Sequence, residues 1–322
     1  MARGSVSLVG AGPGDPGLLS VRGADLLGRA AAIVYERGVH PALLELAAPD
    51  AQRLAVDAPG EGLAAALEAA RQGLAVAWLR RGDPWLAGGA ELEALARAGL
   101  SFEVAPAVAP ELAAAAYAGI ALGRPGRLVV WGEAARDAPP PGSDATFVAA
   151  GPLALRSLAS ALLAAGHPPT TPAALVEHAT TPAQRTALTS IGELAAAAAP
   201  AAPPDASAAE GLAPSAAAAA PGAPAEGLAP SAAAAPPGAP AEGLAPIAFV
   251  GPGVAAREAL RWFDRRPLFG KRVAITRAAH QAREFVRALR ERGAEALSVP
   301  TIAIHPPPDP EPLRRAVAAL GA

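Results

Sequence analysis

Two short stretches have residue types and spacing that could do chemistry, and the first is Gly10-Ala11-Gly12-Pro13-Gly14-Asp15-Pro16. An apolar run over 6–9 precedes it, and an apolar helical pattern (Leu18, Leu19, Val21, Ala24, Leu27) follows. Strand, tight loop and helix in that order can turn backbone N–H groups toward a ligand. The spacing is not G-x-G-x-x-G, because Pro13 and Gly14 follow Gly12 directly. Pro13 fixes its own φ and donates no hydrogen bond, so the loop reads as rigid and not as a nest of phosphate donors. An ordinary strand-to-helix turn would look similar. The second stretch, Arg81-Gly82-Asp83-Pro84, follows another apolar run, over 74–79. Asp83 suits either a ligand-accepting carboxylate or a turn residue before proline. The histidines, His40, His167, His178, His280 and His305, show no metal-ligand spacing, so no metal site is expected. Arg283, Arg287 and Arg290 read as a solvated helix face, not a nucleic-acid surface.

The elements that must position these stretches follow an α/β rhythm. Apolar runs at 6–9, 32–35, 74–79 and 102–104 alternate with amphipathic patterns such as Leu63, Ala66, Leu67 and Ala70. Near-continuous apolar strands between helices predict a parallel sheet covered on both faces. In such sheets ligands bind outside the carboxyl ends of the strands, where both stretches fall. A second α/β block has strand patterns at 128–131, 146–149, 173–177 and 246–250, with a helix over 153–165. Residues 186–194 lead toward a further helix, and 133–143 form a Pro/Gly-rich loop.

Ala-Glu-Gly-Leu-Ala-Pro recurs at 209–214, 225–230 and 241–246, a period of 16 residues. Each unit offers one leucine among Ala, Pro, Gly and Ser and cannot bury a core, so 196–244 is expected to be a disordered Pro/Ala-rich insertion. Because a strand pattern follows at once, the insertion is expected to loop out of one domain. Closing such a loop costs only about 0.6 kcal/mol per doubling of its length.

The chain of 322 residues has room for two or more domains and contains no cysteine, which excludes disulfides and thiolate chemistry. No room for a signal peptide and no apolar run of about 20 residues is seen, so a cytoplasmic protein without a membrane span is expected. A net charge of −2 hides an asymmetry. From Arg257 onward, thirteen Lys and Arg face seven Asp and Glu, against fourteen and twenty-two before it. The sole lysine is Lys271.

The string from Ser5 to Glu45, with its Gly-Pro-Gly-Asp-Pro loop and Tyr35-Glu36-Arg37, resembles the opening of the tetrapyrrole methylases, the uroporphyrinogen-III C-methyltransferases among them. The resemblance extends with gaps to Phe263. Gly82-Asp83-Pro84, Tyr117-Ala118-Gly119-Ile120 and Glu177-His178-Ala179-Thr180-Thr181 lie within it. From Arg261-Trp262-Phe263 through Lys271-Arg272 the chain is similar to the start of uroporphyrinogen-III synthase in fusions of the two enzymes. The resemblance implies an N-terminal α/β methylase domain over 1–124 and a C-terminal α/β methylase domain over 125–256, interrupted by the insertion. It also implies a partial synthase domain over 266–322, too short to carry synthase activity.

The implied reaction moves methyl groups from S-adenosylmethionine, held in an interdomain cleft, onto carbons 2 and 7 of uroporphyrinogen III, giving precorrin-2. The resemblance places the cofactor on Pro13, Arg81, Gly82, Asp83, Leu86, Ala109, Pro110, Ala150 and Ala179, with Arg81 where the family has glycine. Glu36 replaces an aspartate that takes the ring proton. Asp57-Ala58-Pro59 replaces Gly-Lys-Arg, and Arg124 is the candidate for substrate carboxylates. A small tetrapyrrole substrate and a homodimer are implied. The missing lysine and arginine leave open a second reading, a diverged methylase fold serving as a binding or scaffold module for a fused synthase. A methylase of later corrin intermediates fits the synthase-like segment less well.

Overall fold

The computed structural model describes residues 4–87, 89–123, 128–132, 141, 145–197, 245–277, 279–299, 301 and 311–319. Strands β1 (Ser5–Gly10), β2 (Ala32–Glu36), β3 (Gln52–Val56), β4 (Ala75–Arg80) and β5 (Ser101–Ala105) form one sheet in the order β3-β2-β4-β1-β5. Every pairing in it is parallel. Parallel neighbours need crossovers, which α1 (Val21–Arg29), α2 (Pro41–Leu44), α3 (Pro59–Arg71), α4 (Pro84–Ala87) and α5 (Gly89–Arg97) provide. Both faces are buried. Val9, Ile33 and Leu79 pack with Leu27 of α1 and Leu43 of α2. Leu8, Val34 and Trp78 pack with Ala66 and Ala70 of α3 and Leu95 of α5. That two-sided burial is why these strands read as continuous apolar runs. The strand absent from the sequence reading is β3. It is an edge strand whose Gln52 and Arg53 are exposed, which leaves an apolar run of only Leu54, Ala55 and Val56.

A second sheet has the order β6-β7-β10-β8-β9. It comprises β6 (Leu128–Trp131), β7 (Thr146–Ala150), β8 (Pro172–Glu177), β9 (Arg185–Ser190) and β10 (Ile247–Val250). Only β6 and β7 run parallel. Helices α7 (Pro152–Ala164) and α8 (Ile191–Ala197) cover one face through Leu155, Leu158, Leu162, Ile191 and Leu194. The other face is covered by α6 (Pro110–Ala118), whose Ala114, Ala115 and Ala118 meet Val148, Val176 and Phe249. In sequence α6 belongs to the first block; in space it belongs to the second sheet. Residues 186–194, which read as leading toward a helix, hold most of strand β9 and the start of α8. Thr186 and Thr189 suit a strand edge. A reciprocal cap then starts the helix: Glu193 N–H donates to Ser190 Oγ and Ser190 N–H donates to Glu193 Oε2.

Strand β10 lies between β7 and β8 and pairs with both. Residues on the two sides of the repeat stretch therefore share one sheet. Residues 198–244 and most of the expected 133–143 loop lie outside the described residues. The C-terminal part holds α9 (Arg257–Leu260), β11 (Arg272–Ile275), α10 (Ala279–Glu291), β12 (Glu295–Ser298) and α11 (Glu311–Ala319). Its strands pair in parallel around a small core of Ile275, Ala282 and Ala296. Among the described residues no helix is long and apolar enough to cross a membrane, and no cluster of His, Cys, Asp and Glu could hold a metal ion.

Candidate functional site

The loops that leave β1, β4 and β5 meet at the carboxyl ends of those strands. Ala11 N–H donates to Arg80 O at 2.7 Å, and Gly12 and Gly82 exchange backbone hydrogen bonds at 3.2 and 3.0 Å. The two stretches singled out in the sequence are thus bonded to each other. A Cβ on Gly10 would lie 2.6 Å from Ala107 Cβ and 2.8 Å from Pro84 Cδ, so only glycine allows this approach. Asp83 ties the second loop to the third. Its Oδ1 accepts from Trp85 N–H at 2.7 Å and its Oδ2 from Ala107 N–H at 2.8 Å. Pro110, the first residue of α6 after its N-cap Ala109, sits within 3.2 Å of where a Cβ on Gly82 would be.

A second set of bonds braces the Gly-rich loop from outside the first sheet. Asp15 caps the 3-10 turn Pro16–Leu18 by accepting from Gly17 N–H. Asp15 N–H donates to Thr180 Oγ1 at 3.1 Å, and the same hydroxyl donates to Pro13 O at 3.2 Å. Thr180 has φ +65° and His178 φ +48°, with buried Ala179 between them. Left-handed backbone at a β-branched residue is costly and persists only where the surroundings enforce it. Here Gln184 does so, accepting from Thr180 N–H at 2.8 Å and donating to Tyr117 O at 3.3 Å. Tyr117 closes the circuit by donating its hydroxyl to Asp15 Oδ2 at 2.9 Å. Burial, and then the adjacent Asp15 charge, hold the Tyr117 hydroxyl protonated far above the ordinary phenol range.

Tyr117 is itself clasped by the segment after α9. Its ring packs 5.1 Å from Trp262 and 4.6 Å from Phe263, and Arg266 lies over both of those rings. Trp262 Nε1 donates to Ala116 O at 2.9 Å. Buried Arg257 donates to Ala118 O and to Asp264 Oδ2. Gly119 makes room for this segment, since a Cβ there would lie 2.6 Å from Arg261 N.

The mouth formed by the ends of β2 and β4 is built from charges. Glu36 is 5% exposed. Its Oε1 accepts from Arg80 Nε at 2.8 Å and its Oε2 from Arg81 N–H at 3.1 Å. Arg81 Nε lies 3.5 Å from the same Oε2, and Arg80 Nη1 lies 3.3 Å from Glu91. Beside them Arg37 pairs with Asp57 at 2.6 Å. His40 follows on the loop after β2, its Nδ1 accepting from Ala42 N–H as the cap of α2. Burial, and then the charge of Arg290, lower His40 to about 4.

Of the residues expected at a cofactor, Pro13, Arg81, Gly82, Asp83, Ala109 and Pro110 fall on the joined loops, and Ala179 lies between β8 and β9 on the segment that braces them. Leu86 is 68% exposed on α4, and Ala150 is exposed at the end of β7. Arg124, expected at the substrate, lies outside the described residues. Sequence reasoning assigned no role to Asp15, Tyr117, Thr180, Gln184 or Arg80. Tyr117 and Asp15 are 102 residues apart, and no periodicity links them. Arg80 did carry a signal, because an arginine at the end of a buried strand needs a buried acid. A separate cleft of about 310 Å3 lies between 182–185 and 269–272, lined by Arg185, the lone Lys271, Arg272 and Glu295.

Comparison with known proteins gives matches over this region. Residues 5–195 match the family profile of the tetrapyrrole (corrin/porphyrin) methylases. Siroheme synthase 2 of Halorhodospira halophila is 39% identical over 217 residues, covering 60% of this chain and 43% of that protein. The chain thus spans less than half the length of the curated relatives it matches. A crystal structure of uroporphyrin-III C-methyltransferase from Thermus thermophilus aligns with TM-score 0.56 and 28% identity, covering 82% of this chain and 99% of that one. The same enzyme complexed with S-adenosyl homocysteine aligns with TM-score 0.53 and 26% identity, over 78% and 99% of the two chains.

Proposed function

The chain belongs to the tetrapyrrole methylases, and from that premise we propose that it transfers methyl groups from S-adenosylmethionine to carbons 2 and 7 of uroporphyrinogen III, yielding precorrin-2. The observation that carries the reading is the Gly12–Gly82 bridge. It joins the two motifs at the carboxyl ends of β1 and β4, in a chain whose structural relative holds S-adenosyl homocysteine. The residues present fit such a donor. Rigid backbone at Gly10–Asp15 offers polar groups, and the exposed apolar side chains of Leu86 and Val108 flank the Asp83–Ala107 tie. When bound, S-adenosylmethionine supplies an activated methyl group. The chain's part is to hold donor and acceptor in line, which is worth most when the loops do not have to reorganise.

The bracing by Thr180, Gln184 and Tyr117 gives the Gly-rich loop one conformation before anything binds. Glu36 has both oxygens engaged by N–H groups of Arg80 and Arg81. That arrangement suits an orienting carboxylate better than a collector of ring protons. The segment from β11 onward reads as the opening of a synthase-like unit, and pairing with a second copy follows from the family likeness. One observation favours the second reading, a diverged binding module. Ala58 caps α3 with no side-chain hydrogen bond, at the position implied for a lysine, and no lysine occurs before Lys271.

The test is an anaerobic incubation of the purified chain with uroporphyrinogen III and methyl-labelled S-adenosylmethionine. Two labelled methyl groups on the macrocycle are expected. Folded protein that binds S-adenosyl homocysteine and transfers no label establishes the binding-module reading instead.

A further inference from the structure

We infer that Arg81 is the carboxylate receptor of this site and that buried Glu36 is the residue that aims it. The inference rests on the tetrapyrrole reading above. Arg81 stands one residue before Gly82, at the carboxyl end of β4, so its side chain leaves the chain beside the Gly12–Gly82 bridge. The Arg81 side chain is 41% exposed, and its only ion-pair partner among the described residues is Glu36, 3.5 Å from Nε. The two terminal amino groups have no protein partner among the described residues. A guanidinium held by Nε and open at its outer edge presents the paired donors that a carboxylate accepts.

Glu36 is placed for this purpose. A carboxylate this deeply buried is held by ion pairs and hydrogen bonds. Arg80, 8% exposed, supplies one side and is itself shared with Glu91. The remaining oxygen of Glu36 accepts from the backbone N–H of Arg81 at 3.1 Å, which fixes the origin of that side chain, and its charge lies 3.5 Å from Arg81 Nε, which draws the guanidinium toward it. The need for a cation here is clear from the charge distribution. Residues before Arg257 carry fourteen Lys and Arg against twenty-two Asp and Glu, a balance that repels a polyanion at long range. The neighbouring Arg37 is already paired with Asp57.

Two carboxylate sources meet at such a site, the side chains of the porphyrinogen and the amino-acid end of the methyl donor. The experiment separates them. The full chain, Arg81→Met and Arg81→Lys are titrated with uroporphyrin, the stable oxidised octacarboxylate, by fluorescence, and with S-adenosyl homocysteine by calorimetry. A porphyrin bearing four carboxylates serves as a control.

Arg81→Met is expected to weaken uroporphyrin binding about 10- to 100-fold, the range for one lost charge-assisted pair. Arg81→Lys should recover part of the loss. S-adenosyl homocysteine affinity should stay at the wild-type value, which would take Arg81 out of the cofactor set that the resemblance implies. The melting temperature should stay near wild type because Glu36 keeps Arg80 and the backbone N–H of residue 81. Glu36→Gln should weaken uroporphyrin binding with Arg81 present and add little in the Arg81→Met background, the non-additivity of an orienting partner. A loss confined to S-adenosyl homocysteine assigns the carboxylate to the donor and overturns the substrate assignment. Unchanged affinity for both ligands overturns the role of Arg81 altogether. A wild-type chain that binds uroporphyrin through Arg81 and still transfers no methyl leaves the inference standing and removes the methyltransferase reading.

Discussion

The two sides of the site are held by different physics. The Gly-rich loop is braced by backbone amides, one threonine hydroxyl, one glutamine amide and one phenol, so most of its bonds are between neutral groups. The mouth at the ends of β2 and β4 is held by charges: Glu36 and Arg80 are buried against each other, part-buried Glu91 flanks Arg80, and Arg81 reaches Glu36 from the exposed rim. Neutral hydrogen bonds contribute modestly and persist across pH and salt. Buried ion pairs contribute little net stability when intact, yet removing one partner is severe because the other charge stays behind. One side is therefore built to keep its shape, and the other to present charge.

The largest effect that would test this contrast is at Glu36. Glu36→Ala leaves Arg80 in the protein interior with half of its counter-charge removed, and should cost about 3–5 kcal/mol in urea unfolding. A loss under about 1 kcal/mol would mean that the charges are already hydrated and that the contrast is wrong.

Next comes acid. His40 has an ordinary value of 6.5 and is lowered to about 4 in the fold. Between those values the unfolded chain takes up a proton that the folded chain refuses. This contribution is fully present above pH 6.5 and is lost as pH falls toward 4, by at most about 3 kcal/mol. His40→Asn keeps a helix-capping acceptor and removes the titration, so its melting temperature should fall less than wild type between pH 7 and pH 4.5. Parallel curves would exclude His40 as the source.

On the braced side, Gly10→Ala drives a methyl group into Ala107 and Pro84 and should cost about 1–3 kcal/mol. S-adenosyl homocysteine affinity should fall with it, because the Gly12–Gly82 bridge must open to make room. Unchanged affinity would show that the loops adapt and that bracing is not what prepares them. The smallest effect expected is at Tyr117→Phe, about 1 kcal/mol from one lost hydrogen bond. It should appear as faster hydrogen exchange at Asp15 and Gly17 more than as a shift in melting temperature.

The same contrast explains what the sequence made legible. The Gly/Pro loop, the apolar strands of the first sheet and the Gly82-Asp83-Pro84 turn follow from local rules, because spacing and turn chemistry act over a few residues. Strands β3 and β9 were obscured by their edge positions, where half of the side chains face solvent. The pairing of Glu36 with Arg80 spans 44 residues and that of Tyr117 with Asp15 spans 102, and both depend on which loops the sheets bring together. Asp83 shows the limit from the other direction. Its sequence context fits a ligand acceptor or a turn residue equally, and in the structure both of its oxygens accept from backbone N–H groups of two loops.

Strand β10 has a consequence for how this protein is made. It is the central member of the second sheet, and among the described residues it is the strand whose hydrogen bonds join the pair β6–β7 to the pair β8–β9. Until the nascent chain reaches residue 250, β7 and β8 lack the strand that each pairs with on its inner edge. The first sheet, complete by Ala105, can already be folded. Synthesis therefore passes through an interval in which half the molecule is finished and the other half awaits its keystone. In that interval the exposed edges of β7 and β8 are where a chaperone would be needed.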